Sequence, residues 1–324
     1  MPTRRTLLRA APVLLAPAGA RAQPEWPTRP IRILVPYGTG GSTDVAARLL
    51  ADRLSQMLPQ RAVVENRTGA GGNLAAAAVA KGPGDGSVLL FTNVGQAAAK
   101  ALFPKLDYDP ETELRAVTTV TEGPMALLVP PNSPYRTMQE LLDAARRQPG
   151  RLTYGSSGGG GALQLVSLQF LRAAGVRMTE VAYRGSGQAQ LDLAAGSLDM
   201  LFDSGIAGFA AVRADRAQIL AVSSAQRSTV MPEVPTVAEA GLPGATFSIW
   251  QMLMAPAATP DATMARIHAA VVEALAEPVL RQRLTDLGAE RIPGNPQAEA
   301  QRHYLAEVAR WGGLLRSAEP TYNR

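Results

Sequence analysis

Cysteine is absent from this 324-residue chain, histidine occurs twice, and aromatic residues make up 5% of it. Without cysteine there is no disulfide framework, no thiolate metal site and no lipobox residue to carry a lipid anchor. An oxidising compartment is therefore harmless to it. The two histidines, His268 and His303, stand alone in helical stretches, give no metal-ligand spacing and leave little for acid–base catalysis. No apolar run beyond the first residues approaches the ~18 needed to span a bilayer, so the mature chain is expected to be soluble. Surplus charge is scarce too. The formal net charge of +5 invites a nucleic-acid partner, yet residues 1–22 hold Arg4, Arg5, Arg9 and Arg21 and no acid, so the rest carries +1. A nucleic-acid partner is not expected.

What the first 22 residues do contain is a tripartite export pattern. Thr3-Arg4-Arg5-Thr6-Leu7-Leu8-Arg9 leads into an apolar stretch through Leu14 and Leu15, closed by Ala20-Arg21-Ala22. Cleavage after Ala22 and delivery to the periplasm are expected, by the twin-arginine route that carries folded proteins. The general export route and an uncleaved amphipathic anchor are the alternatives.

With 46% hydrophobic and 18% charged side chains, the remainder is of ordinary globular composition and long enough for two lobes. Short β-branched runs alternate with helical ones: strands at 31–35, 62–65 and 88–92, helices at 42–58, 74–80 and 93–102. A β-rich stretch at 118–129 leads out of this unit. A second series follows, with helices at 137–148, 162–174 and up to 195, and strands at 152–154, 179–183, 197–203 and 218–223. Beyond 231–236 the chain reads as mostly helical, notably 260–276 and 296–315. Such alternation predicts an α/β fold with parallel sheets and right-handed crossovers. We expect residues 23–123 and 227–324 to form one lobe and 124–226 a second, each a sheet flanked by helices, with a hinge and a ligand cleft between them.

Three glycine-rich turns lie between a strand and a helix, at 38–43, 69–73 and 155–161. The first turn of a helix presents unpaired N–H groups and the positive end of the dipole, so each is an anion site, or else a tight turn with an ordinary N-cap. Ser42, Thr43, Asn73, Ser156 and Ser157 add polar groups at the same places. The first turn lacks the third glycine of the dinucleotide fingerprint and no Gly-Lys-Ser/Thr ending exists, so a small carboxylate fits better than a nucleotide. Gly155-Ser156-Ser157-Gly158-Gly159 spells a nucleophile elbow, but a serine nucleophile needs a histidine base that the strand-end loops do not offer. Arg184 is either a bidentate partner for a ligand carboxylate or a structural loop arginine. Asp203 either caps a helix or accepts from a ligand amine, and Tyr37 either closes over the cleft or covers the sheet edge. Trp26, Trp250 and Trp311 are expected to pack in the core.

Several motifs, in order along the chain, resemble the tripartite tricarboxylate transporter substrate-binding proteins, often called Bug proteins. They are Val35-Pro36-Tyr37 with Gly40-Gly41-Ser42-Thr43-Asp44, Glu65-Asn66-Arg67 with Gly69-Ala70-Gly71-Gly72-Asn73, Tyr108-Asp109-Pro110, Tyr154-Gly155-Ser156-Ser157-Gly158, Tyr183-Arg184-Gly185 and Met231-Pro232-Glu233-Val234-Pro235-Thr236. The resemblance implies a two-lobed periplasmic binding protein of type II that takes a small carboxylate, without cofactor or metal, for a membrane permease of that transporter type or for sensing. A monomer is expected. Carried over by position, the implied ligand-binding residues are Tyr37, Gly40, Gly41, Ser42, Thr43, Asn73, Ser156, Ser157, Gly160 and Ala162, with Arg184, Gly185 and Asp203. Gln164 joins this set where the family usually has histidine. It cannot become cationic, which favours a neutral or amide-bearing ligand group over an extra carboxylate. The alternative function is a secreted serine hydrolase built on the Gly155-Ser157-Gly159 turn.

Overall fold

The computed structural model describes residues 26–316 apart from Pro104, Gly159 and Leu287; the expected export signal lies outside the described residues, as does one glycine of the elbow. The first unit runs β1 (Ile31–Val35), α1 (Ser42–Met57), β2 (Ala62–Asn66), α2 (Asn73–Ala80), β3 (Val88–Asn93) and α3 (Gly95–Leu102). Alternation in β1 sends Ile31, Ile33 and Val35 into one hydrophobic cluster with Leu50 and Leu54 of α1, and Leu34 into the other with Ala75, Ala76 and Val79 of α2. Helices therefore cover both faces of the sheet.

The 16-residue β4 (Leu114–Val129) leads on to α4 (Met138–Arg147), β5 (Thr153–Ser156), α5 (Ala162–Ala174), β6 (Thr179–Ala182), α6 (Ser186–Ala194), β7 (Met200–Ser204), α7 (Gly205–Arg213) and β8 (Gln218–Val222). The chain returns through β9 (Ser248–Pro256) and ends in α8 (Asp261–Ala276), α9 (Pro278–Asp286) and α10 (Gln297–Arg316). Among the described residues the strands form one nine-stranded sheet in the order β2-β1-β3-β9-β4-β7-β5-β6, with β8 also beside β4. β1 pairs in parallel with β2 and β3, and β5 with β6 and β7, whereas β9 and β4 run antiparallel to their neighbours.

The change of halves is written into β4. Up to Pro124 it pairs with β9; from Met125 it pairs with β7 and β8. The return crossing lies just before β9, where the Phe247 amide still donates to Ser223 O at 2.7 Å.

One expectation changes here. The chain beyond 231–236 reads as mostly helical, and α8 and α10 stand where helices are expected, but β9 is a strand of the pattern exposed-then-eight-buried. A continuous apolar run carries no period with which to tell a central strand from a buried helix, and only pairing on both sides decides it. Residues 235–247 hydrogen-bond to elements that follow β4. Val237 N donates to Val222 O, and Gln169 of α5 donates to the carbonyls of Gly244 and Thr246. Trp250 and Trp311 are buried in the core as expected, whereas Trp26 is half-buried against it. Trp311, in α10, meets Phe247 edge-on at 5.8 Å, Trp250 meets Tyr304 at 6.4 Å, and Trp26 Nε1 donates to Gly86 O.

Candidate functional site

The N-caps of α1, α2, α5 and α6 are Gly41, Gly72, Gly161 and Gly185, and no side chain caps any of them. By contrast α4 carries a complete capping box from Thr137 and Glu140, and Ser204 caps α7. Glycine has no side-chain oxygen for the first-turn N–H groups, so these remain directed at the space before the helix. The loops entering all four helices line one cavity of about 470 Å³. Pro36 and Tyr37 precede α1, Thr68, Gly69, Gly71 and Gly72 precede α2, Ser157 and Gly158 precede α5, and Tyr183 and Arg184 precede α6. Glycine is obligatory at position 72, where φ is +100° and an added Cβ would lie 2.9 Å from Pro36 Cβ.

On the first half, only part of the expected set reaches this cavity. Tyr37 lines it and donates from its hydroxyl to Asn93 Oδ1 at 2.8 Å, while Asn93 Nδ2 donates to Thr43 Oγ1 at 3.0 Å. Burial raises the Tyr37 pKa, which keeps the phenol protonated. The Gly40 amide donates to Asp44 Oδ2 at 3.0 Å, and Asp44 also accepts from Asn66 Nδ2 at 2.9 Å and from Arg48 Nε at 3.0 Å. Burial alone would raise the Asp44 pKa, but hydrogen bonds from Arg48, Gly40 and Asn66 outweigh it and hold the carboxyl below its usual value. The positive end of α1 is thus occupied by the chain's own carboxylate. Ser42 and Thr43 are buried behind it. Asn73 is internally satisfied as well, donating to Ala70 O and accepting from the Tyr108 hydroxyl, both at 2.7 Å.

The loop holding Gly40 and Gly41 meets the other half instead of the cavity. Gly38 N donates to Arg184 O at 3.3 Å, and an added Cβ on Gly41 would lie 3.4 Å from Ser186 Oγ. A second seam brings Gly160 O to 3.0 Å from where a Cβ on Gly95 would stand. The two halves touch along both seams.

On the second half, Ser157 lines the cavity and its buried hydroxyl has no hydrogen-bond partner. Ser156 lies behind it, fully buried, donating to Glu180 Oε1 and accepting from Gly158 N. Gln164 accepts from Gly160 N at 2.7 Å and donates to Glu180 Oε1 at 2.6 Å, so both ends of its amide are taken up inside the protein. A preference for neutral ligand groups through Gln164 therefore has no geometric basis. Ala162 is the buried first residue of α5. Arg184 is exposed at the cavity wall, and no carboxylate among the described residues forms an ion pair with it. Asp203 is fully buried and acts as a brace for α6, not as part of the wall. It accepts from Gln190 Nε2 at 2.7 Å and from Ser204 N at 2.8 Å, and desolvation pushes its pKa up to about 6.

The sequence reading did not single out Thr68, Gly158 or Tyr183 for the wall, nor Asp44 and Glu180 behind it. Tyr183 has a signal: it follows β6 directly and precedes the Arg184-Gly185 turn. Hydrolysis finds no support. Ser157 Oγ is bonded to no base, His268 Nε2 is engaged with Asn295 O at 3.0 Å, and His303 packs edge-on against Trp250. Among the described residues no group of three or more His, Cys, Asp or Glu could hold a metal ion.

The family model described as the tripartite tricarboxylate transporter family receptor matches residues 46–319. Protein BugT of Bordetella pertussis is 32% identical over 316 residues, covering 96% of each chain. Among solved structures, MatC from Rhodopseudomonas palustris with bound malate superposes with a TM-score of 0.85 at 34% identity, over 90% of this chain and 100% of that one. Rpa4515 of R. palustris with adipate gives 0.87 at 35% identity, over 91% and 99%. A structure of the periplasmic binding protein BugD gives 0.86 at 29% identity, over 91% and 99%. With the loops that enter α2, α5 and α6 around one cavity and this match over most of its length, the chain belongs to the tripartite tricarboxylate transporter receptor family.

Proposed function

We propose that the protein is an exported receptor that closes around a small carboxylate and presents it to a membrane permease of the tripartite tricarboxylate type. The observation that carries this is the convergence, from both halves, of uncapped helix N-termini on one cavity that also holds the unpartnered Ser157 hydroxyl and the Arg184 guanidinium. First-turn amides and helix dipoles attract one carboxylate without metal or strong base, and Arg184 supplies the charge that a second carboxylate, or a second oxygen pair, would take. The relatives solved with malate and adipate hold dicarboxylates of four and six carbons. A cavity of about 470 Å³ admits either with room for bridging water.

Two lobes joined by β4 and the strand entry before β9 supply the hinge. We place the second lobe at 125–247 and the first at 26–124 with 248–316, following the pairing switch in β4 and the packing of 235–247 on β8. Closure follows because the ligand contacts both halves only in the closed form, and its differential affinity sets how far the equilibrium moves. Cleavage after Ala22, a periplasmic location and a monomeric mature protein complete the proposal. Mass spectrometry of solute released on denaturation, with calorimetry against malate, adipate and their diamides, tests it. One carboxylate bound per chain with the diamides silent is expected; saturable binding of the diamides alone would overturn it.

A further inference from the structure

Glu180, on β6, stands one layer behind the loop that carries Ser157, outside the residues that line the cavity. Its Oε1 accepts two hydrogen bonds, from Ser156 Oγ at 2.5 Å and from Gln164 Nε2 at 2.6 Å. Each donor is in turn an acceptor for the loop. Ser156 Oγ takes the amide of Gly158 at 2.9 Å, and Gln164 Oε1 takes the amide of Gly160 at 2.7 Å. A hydroxyl has one proton, so once Ser156 gives it to Glu180 its oxygen can only accept. A side-chain amide whose nitrogen is turned to Glu180 must turn its oxygen to the loop. One carboxylate oxygen therefore sets the direction of two relays, and both end on main-chain amides of the glycine loop.

These relays decide what the loop offers the cavity. The Gly158 and Gly160 amides are drawn away from the ligand space, and Ser157 is left pressed against Gly161, where an added Cβ would come within 2.0 Å of its Oγ. We infer that Glu180 is a positioning residue of the ligand site, acting through Ser156 and Gln164 to hold the Gly158 and Gly160 amides so that Ser157 and Gly158 stay at the cavity wall before α5. What the loop binds rests on the function proposed above; the ordering of the loop does not. Acting by geometry, Glu180 has a further consequence: its charge opposes an anion that its hydrogen bonds help to bind.

Hydrogen exchange of the ligand-free protein and calorimetry with malate and adipate separate these points. Glu180→Leu should raise exchange at the Gly158 and Gly160 amides about tenfold and weaken carboxylate binding about tenfold, as loss of two directed hydrogen bonds requires. Glu180→Gln keeps an acceptor oxygen without the charge, so it should retain protection and bind at least as tightly as the native protein. A merely structural glutamate would show no such rescue confined to this loop. Should Glu180→Leu not fold, Ser156→Ala should release Gly158 alone and Gln164→Leu should release Gly160 alone. Unchanged exchange at both amides in these variants overturns the inference. If the native protein binds neither carboxylate, the proposed ligand class falls, while the exchange data still decide the role of Glu180.

Discussion

Ser157→Ala should move affinity and stability in opposite directions. Ser157 lines the cavity, and its hydroxyl oxygen is buried at the wall with no partner among the described residues, so it carries an unrecovered desolvation cost of about 1–3 kcal/mol. Donated to a ligand carboxylate, the same group contributes about 1.5–3 kcal/mol. Alanine then loses about ten- to a hundredfold in Kd, at about 1.4 kcal/mol per decade. At a ligand concentration a hundred times the native Kd, ligand-induced stabilisation of about 2.7 kcal/mol should fall to roughly 0.9 kcal/mol for a ~30-fold loss. The unliganded variant should melt at or about 2 °C above the native Tm, since the orphaned polar group is gone. Differential scanning fluorimetry with and without malate or adipate reads both quantities in one plate. Native-like affinity in the variant would refute the role of Ser157 as a ligand donor, and a Tm lowered by several degrees would show that the hydroxyl has a structural partner after all.

Closure can be probed at Gly95, whose added Cβ would lie 2.8 Å from the Tyr37 hydroxyl and 3.0 Å from Gly160 O across the seam. Gly95→Ala should disfavour the closed form, enlarge the radius of gyration in solution scattering and weaken ligand binding; unchanged scattering and affinity would show the seam to be compliant. Asp203 has its pKa raised by burial to about 6, above its unfolded value, so the folded state holds this proton more tightly. Its contribution is fully present below about pH 4 and lost as pH rises through 6, giving a fall of about 1 kcal/mol between pH 5 and 7 that Asp203→Asn should abolish in urea titrations. The same pH slope in the variant would place the titration elsewhere. Asp44→Ala leaves the Gly40 amide and Arg48 without their acceptor and should cost about 2–3 kcal/mol of stability. Ligand affinity should change less than stability, because the 38–41 loop does not line the cavity; the reverse ranking would return that loop to the ligand.

The helix starts were legible because glycine clusters between a β-branched run and an amphipathic one leave little choice of local structure, and each of the three turns does open a helix. Which of their groups meet the ligand was not legible. Gly40, Asn73, Ser156 and Gln164 are polar or amide groups at the right turns, yet Asp44, Ala70 with Tyr108, and Glu180 take their hydrogen bonds. Each of those partners lies between 3 and 35 residues away, and no spacing along the chain announces them. β9 escaped for a related reason: its apolar run fits a helix or a central strand equally, and β3 and β4, which flank it, lie more than 100 residues upstream.

Local chemistry in the chain determined the strand–glycine–helix units and the glycine N-caps at the three turns, because these depend on neighbours a few bonds apart. Tertiary structure alone decided that the loops entering α2, α5 and α6, from halves joined through β4, meet at a single cavity while Asp44 takes the start of α1, and which polar atoms remain unpaired there. Hydrogen-bond satisfaction in a closed interior is settled by whichever groups packing brings within 3 Å, and that is a property of the fold and not of the order of residues.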